Sequence, residues 1–143
     1  MPVSNPLAYC IDTDEEHAVL LKHSLQKKGY TCRFFSDGIR MLRYIDGEGA
    51  KFKPSLIIID LLVSGVGPFE LAKKLTIHKW SDTVPLILTA KNFGSEDRAE
   101  AQAAGAISVF KKPVDLDQIL AAVEEKKRRL AATEAAVDIH FRK

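Results

Sequence analysis

Leu56-Ile57-Ile58-Ile59-Asp60 constrains the fold more than any other stretch of the chain. Four consecutive aliphatic residues show no alternation, so both faces of the segment must be covered. That condition suits a strand inside a parallel sheet with helices on either side better than a half-exposed antiparallel strand. The run ends on a carboxylate. Burying a charge costs several kcal/mol unless it is paired or coordinated, and ligand sites in open parallel sheets lie just beyond the carboxyl ends of the strands. Asp60 is therefore the leading candidate for site chemistry.

Strand and helix signals alternate along the rest of the chain. Leu7-Ala8-Tyr9-Cys10-Ile11 is the first predicted strand, stopped by Asp12-Thr13-Asp14-Glu15-Glu16. Thr13 and Glu16 have capping-box spacing there, and the acids suit the positive end of a helix dipole. Ala18, Leu21 and Leu25 give that helix its apolar face, and Gly29 its stop. A second strand is predicted over Tyr30 to Phe35, with Ser36-Asp37-Gly38 turning the chain into a helix over Ile39 to Ile45. After Asp60, a loop containing Gly65 and Gly67 leads to Pro68 at the first position of a third helix, which runs to about Ile77. Val84 to Thr89 is a buried strand with its proline near the start, where a missing donor does least harm. Ser95, followed by Glu96 and Asp97, is the predicted N-cap of a fourth helix that Gly105 closes. Ile107 to Phe110 is the last strand, ahead of Lys111-Lys112-Pro113. Asp115 with Gln118 caps a final helix whose apolar face is Leu116, Ile119, Leu120 and Val123. Such alternation through short links predicts an α/β fold, a doubly wound five-stranded parallel sheet with helices on both faces.

At 143 residues there is room for one fully cored domain and not for two ordinary ones. The predicted division is a tail over residues 1–6, a folded unit over 7–125, and a helical extension with tail over 126–143. Lys127 and Glu134 break the apolar stripe that Leu130 and Val137 would continue. Glu124 with Arg128 and Glu125 with Arg129 are i,i+4 pairs in the favourable order, so the extension reads as a solvated helix; a homodimer contact and a link to another domain are its other readings. A formal net charge of +2 gives no general drive toward nucleic acid or membrane. No apolar stretch approaches the ~18 residues of a membrane span, and Met1 to Pro6 lacks the regions of a signal peptide. A cytoplasmic protein without direct nucleic-acid or membrane contact is expected. Cys10 and Cys32 have no metal-ligand spacing and read as reduced thiols. His17, His23, His78 and His140 share no ligand spacing and read as helix-surface residues. Trp80 reads as a packing residue in a loop, and Asp138 to Lys143 as a loose tail.

All strands of a parallel sheet end on one edge, so residues distant in sequence converge there. That edge is predicted to hold Asp12, Asp60, Thr89 and Lys112. Two carboxylates can hold a hard divalent cation such as Mg²⁺, which takes oxygen ligands and keeps several waters. An ammonium and a hydroxyl opposite them would contact phosphoryl oxygens. This is the set that phosphoryl transfer to a carboxylate requires: a nucleophile, a metal to neutralise charge, and fixed donors.

Over residues 7–125 the chain resembles the receiver domain of two-component response regulators. The resemblance is carried, in order, by Ile11-Asp12-Thr13-Asp14-Glu15, the strand Leu56 to Asp60, Gly65, Leu86-Ile87-Leu88-Thr89-Ala90, and Lys112-Pro113 followed by Val114-Asp115-Leu116. It implies a flavodoxin-like sheet in the order 2-1-3-4-5. It further implies that Asp60 accepts a phosphoryl group from a histidine kinase or phosphotransfer protein, switching the binding of a downstream protein or output domain. Asp12, Asp60 and the backbone carbonyl of Leu62 would hold Mg²⁺; Asp14, one place beyond the family's second acid, has two readings, reaching the ion through a water or capping the first helix together with Thr13. Thr89, Ala90 and Lys112 would contact the phosphoryl group, Lys112 would precede a cis bond to Pro113, and Val109, Phe110 and Pro113 would form the switch region.

Several positions depart from the family pattern. Thr13 stands where the second acid of the first turn is usual, which should weaken Mg²⁺ binding. Ser64 replaces a common proline, Gly67-Pro68 an acidic-glycine pair, and Val109 the aromatic residue whose rotation reports phosphorylation. Thr13 and Val109 favour a second reading, a pseudo-receiver that keeps the fold and binds partners without being phosphorylated. A third reading is enzymatic: Asp12-Thr13-Asp14, a later Thr89 and a distant lysine are similar to haloacid dehalogenase-type phosphatases. That motif usually continues to Thr or Val where this chain has Glu16, and the reading leaves Asp60 without a task.

Overall fold

Leu56 to Asp60 forms the central strand of a five-stranded parallel sheet, with all five of its residues buried. The computed structural model describes residues 5–77 and 84–141, without the side chains from 137 onward. His78, Trp80 and the side chain of His140 lie outside the described residues, whereas the tail expected to be loose from Asp138 is helical in its backbone as far as Phe141, because the last helix continues without a stop signal. Elements alternate as β1 (Leu7–Ile11), α1 (Glu15–Lys27), β2 (Thr31–Phe34), α2 (Gly38–Asp46), β3 (Leu56–Asp60), α3 (Pro68–Thr76), β4 (Leu86–Ala90), α4 (Ser95–Ala103), β5 (Val109–Lys111) and α5 (Leu116–Phe141). The sheet order is β2-β1-β3-β4-β5, as the resemblance implies.

The unalternating apolar run has a direct structural cause. Ile57 and Ile59 point into one core, with Met41 and Ile45 of α2, Leu71 and Leu75 of α3, and Ala101 of α4. Leu56 and Ile58 point into the other, with Leu21 and Leu25 of α1 and Leu116, Ile119 and Val123 of α5. Each fully buried aliphatic side chain contributes roughly 1.5–3 kcal/mol, so β3 serves both cores at once. Its neighbours are β1, with Ile11 paired to Ile59, and β4, with Asp60 paired to Thr89. The chain leaves β1 toward β2 and returns past it to β3, which places the topological switch point between β1 and β3, at the ends of Ile11 and Asp60.

Local chemistry differs from the sequence expectation at several ends. Of Thr13 and Asp14, both read as capping α1, only Asp14 does so: its carboxylate accepts from Glu16 N–H at 3.1 Å and His17 N–H at 3.2 Å. Thr13 is drawn elsewhere because its side chain has a long-range acceptor, described below. Gly94 rather than Ser95 occupies the N-cap of α4, and its N–H donates to Asp97 Oδ2 at 2.9 Å. β4 and β5 begin and end later than predicted, because pairing starts at Ile57 with Leu86 and at Leu88 with Val109. Gly29, Gly65 and Gly105 all have left-handed backbone, at φ of +89°, +85° and +103°. The first and third end helices as expected.

The last helix runs unbroken from Leu116 to Phe141. Asp115 caps it, accepting from Asp117 N–H at 2.9 Å. Residues 127–136 are exposed, so the helix leaves the core where the stripe breaks. Arg129 pairs with Glu125 at 3.1 Å as predicted. Arg128 reaches Glu125 at 2.7 Å instead of Glu124, which is left to Lys127 at 3.7 Å. The cause is that i,i+3 partners are as close as i,i+4 on a helix surface.

Candidate functional site

Asp60 closes β3 at 1% exposure, and every donor around it comes from another strand end or from the turn that follows. Leu62 N–H donates to Oδ1 at 3.0 Å. Oδ2 accepts from Thr13 N–H at 3.0 Å, from Thr13 Oγ1–H at 2.5 Å and from Lys112 Nζ at 2.6 Å. Burial pushes the carboxyl pKa up, but the Leu62 amide, the Lys112 ammonium and the two Thr13 donors outweigh it, and the net shift is downward. Asp60 is thereby held as a carboxylate at neutral pH.

Lys112, at 7% exposure, bridges the two strands that flank the switch point. Its ammonium lies 2.7 Å from Asp12 Oδ1 and 2.6 Å from Asp60 Oδ2. Burial alone would lower its pKa; its hydrogen bonds to Asp12 and Asp60 and their charges raise it instead. Two carboxylates on one ammonium leave the cluster with an excess negative charge. Lys112 is held in place by its own N–H, which donates to Ala90 O at 2.9 Å, and is followed by a cis bond to Pro113.

Asp12, immediately beyond β1, is the second carboxylate. Its Oδ1 accepts from Asp14 N–H at 3.0 Å as well as from Lys112, and its Oδ2 lies 2.5 Å from His17 Nδ1. Counting lone pairs, Asp12 Oδ2 and Asp60 Oδ1 each hold a single protein donor and keep an acceptor position open. Two open hard oxygens beside an excess negative charge fit a sparsely liganded Mg²⁺ that keeps most of its waters. The residues fit nothing denser: no group of three or more His, Cys, Asp or Glu among the described residues could hold a metal.

The other predicted site residues are distributed around this cluster. Thr89 is buried beside Asp60 in the sheet, its carbonyl accepting from Leu61 N–H at 2.8 Å. Ala90 contributes through its carbonyl on Lys112. Leu62 is 76% exposed next to the carboxylate. Asp14 has both oxygens engaged: one caps α1 and the other pairs with Lys91 at 3.0 Å, a contact that heads the causes lowering its pKa. Val109 is buried in the core shared with α2 to α4, whereas Phe110 packs against the core of α1 and α5. A cleft of about 490 Å³ opens beside the cluster, lined by Asp14, Glu16, His17, Leu20, Lys91, Lys112 and Pro113.

Two participants escape sequence reasoning. Thr13 reads locally as a cap, and only the fold supplies Asp60 as its acceptor. His17, expected on a helix surface, is 7% exposed and bonded to Asp12. Its signal was present in the spacing: His17, Leu21 and Leu25 are successive i,i+4 positions, and these are the buried residues of α1.

Known proteins share this fold and parts of this sequence. The family model for the response regulator receiver domain matches residues 8–124. Response regulator MprA of Mycobacterium leprae (strain TN) is 28% identical over 130 residues, covering 90% of this chain and 54% of that protein. Sporulation initiation phosphotransferase F of Bacillus subtilis (strain 168) is 29% identical over 108 residues, covering 75% of this chain and 82% of that protein. The chain thus spans about half the length of MprA. The Francisella response regulator 1452 receiver domain superposes with a TM-score of 0.70 at 22% identity, over 88% of this chain and 99% of that one. Fold and family match agree: this chain belongs to the response regulator receiver domain family.

Proposed function

We propose that Asp60 is the phosphoacceptor of a signalling switch. A carboxylate oxygen of Asp60 attacks phosphorus, the phosphorus–nitrogen bond of a phosphohistidine on a histidine kinase or phosphotransfer protein breaks, and the histidine nitrogen leaves with the electron pair. The observation that carries this reading is the state of Asp60: ionised, buried at a strand end, and flanked by a buried ammonium. The nucleophile therefore needs no general base. Asp12, Asp60 and the Leu62 carbonyl would hold a weakly bound Mg²⁺, which when bound neutralises charge on the phosphoryl oxygens. Lys112 and Thr89 would then contact those oxygens, and the change in contacts would be read by a downstream protein or output domain. Free Cys10 and Cys32 suit a reducing cytoplasm, and no helix among the described residues is long and apolar enough to cross a membrane.

The test is intact-mass measurement after incubation with acetyl phosphate and Mg²⁺. A gain of one phosphoryl group in the wild type, absent in Asp60→Asn, is the expected result. No adduct on the wild type, or one that survives Asp60→Asn, overturns the reading. A specific contact favours the alternative of an unphosphorylated interaction module: the Thr13 hydroxyl supplies Asp60 Oδ2 with a third donor. The same measurement separates the two. The phosphatase reading gains nothing from the family match.

A further inference from the structure

His17 has no part in the chemistry so far, yet its ring joins two segments distant in sequence. It lies in the first turn of α1, five residues past Asp12, and is 7% exposed. Nδ1 is 2.5 Å from Asp12 Oδ2, and Nε2 is 3.2 Å from the backbone nitrogen of Val114, the residue after Pro113. An amide N–H can only donate, so Nε2 bears the lone pair and the ring proton sits on Nδ1, where it donates to Asp12. The ring is thus used at both nitrogens, in one tautomer, between the end of β1 and the link from β5 to α5.

We propose that His17 is a positioning residue for the acidic corner, an inference that rests on reading Asp12 as a cation ligand. A carboxylate free to rotate would exchange its oxygens between Lys112 and solvent. The Nδ1–H bond fixes Asp12 with Oδ1 on Lys112 and Asp14 N–H, and leaves one lone pair of Oδ2 open. The Val114 bond holds the segment that carries Lys112 and Pro113 in register with that orientation. Hydrogen bonds of this kind to metal-binding carboxylates set affinity, and their loss typically costs 10- to 100-fold.

The two arms separate by substitution in the full chain. The amide nitrogen of Asn overlays Nδ1 and keeps the donor to Asp12. The amide of Gln reaches the Nε2 position and keeps an acceptor for Val114. Leu fills the space with neither. Mg²⁺ affinity, followed by amide chemical shifts, is expected to fall roughly 10- to 100-fold in His17→Leu and His17→Gln and to stay within about threefold of wild type in His17→Asn. The Val114 amide resonance should move in His17→Leu and His17→Asn and hold in His17→Gln. In the wild type, ring ¹⁵N shifts should show Nδ1 protonated and Nε2 bare, a readout that needs no variant. A buried histidine that only fills space would leave Mg²⁺ affinity unchanged in His17→Leu, and this result, a protonated Nε2, or a wild type that binds no Mg²⁺ overturns the proposal. None of these readouts requires phosphorylation, so an Asp60 that takes no phosphoryl group leaves the positioning role of His17 to stand or fall on Mg²⁺ affinity and ring protonation.

Discussion

Lys112 stands between two carboxylates that would otherwise face each other in a buried site. Removing one member of a buried charge cluster leaves an uncompensated charge, which costs about 3–5 kcal/mol. Lys112→Ala is therefore expected to lose about 3 kcal/mol in urea unfolding and to regain part of it when Mg²⁺ is added, since the cation restores the missing charge. Asp60→Asn should cost far less, because Lys112 keeps Asp12. A loss under about 1 kcal/mol in Lys112→Ala would show that water enters the cluster freely. The same groups set a pH signature. The Asp60 pKa is lowered below its ordinary 3.8 in the folded chain, so the unfolded chain binds more protons between the two values. Its contribution is complete above 3.8 and is lost as pH falls through the folded value. The Lys112 pKa is raised above its ordinary 10.5, so its contribution is complete below that pH and is lost as pH rises through the higher folded value. Unfolding free energy measured against pH should show an acid limb that flattens in Asp60→Asn; an unchanged limb would assign it to other carboxylates.

Helices here are stopped by backbone geometry as much as by composition. Gly29 and Gly105 both follow helices with positive φ, at +89° and +103°, but their surroundings differ. A Cβ on Gly29 meets nothing within 4 Å, whereas one on Gly105 would lie 2.3 Å from Thr76 Cγ2 at the end of α3. Thr76 is not free to turn aside, since its hydroxyl donates to Lys73 O at 2.8 Å. Gly29→Ala is expected to cost about 1 kcal/mol, the conformational term alone. Gly105→Ala adds overpacking of about 1–3 kcal/mol and should cost at least twice as much in urea unfolding. Equal costs would mean that α3 and α4 separate without penalty. The glycines that stop helices were legible as punctuation. That one of them also marks a close approach between helices was not, because Thr76 and Gly105 meet only in the folded chain.

For the whole molecule, α5 is one continuous helix that starts in the folded unit and ends beyond it, with two environments. Leu116, Ile119 and Val123 are buried, residues 127–136 are exposed, and Leu130 is 43% exposed. Ending the chain after residue 127 removes little buried apolar area among the described residues, 128–136 being exposed, and should leave the thermal midpoint within about 4 °C of the full chain. A fall of about 10 °C or more would place the extension in an interface, such as a homodimer through this helix, and the full chain would then show a concentration-dependent mass that the shortened chain lacks.

Hydrophobic period, turn residues and chain length determined the fold class, the element order and the edge where chemistry gathers. These are local signals, and β3 shows why they suffice: a strand covered on both faces has no polar alternation, and a charge at its end must be answered by something. Lys112 was legible in the sequence as one of the groups at that edge; the other donors to Asp60 and the partners of Asp12 were decided by tertiary structure. Thr13 has the composition of a helix cap and becomes a donor to Asp60, because the end of β1 lies beside the end of β3. His17 has the composition of a surface residue and becomes a bridge, because the segment after Pro113 folds back over α1. A side chain's partner depends on which strand ends meet, and that meeting is a property of the sheet rather than of any neighbouring stretch of sequence.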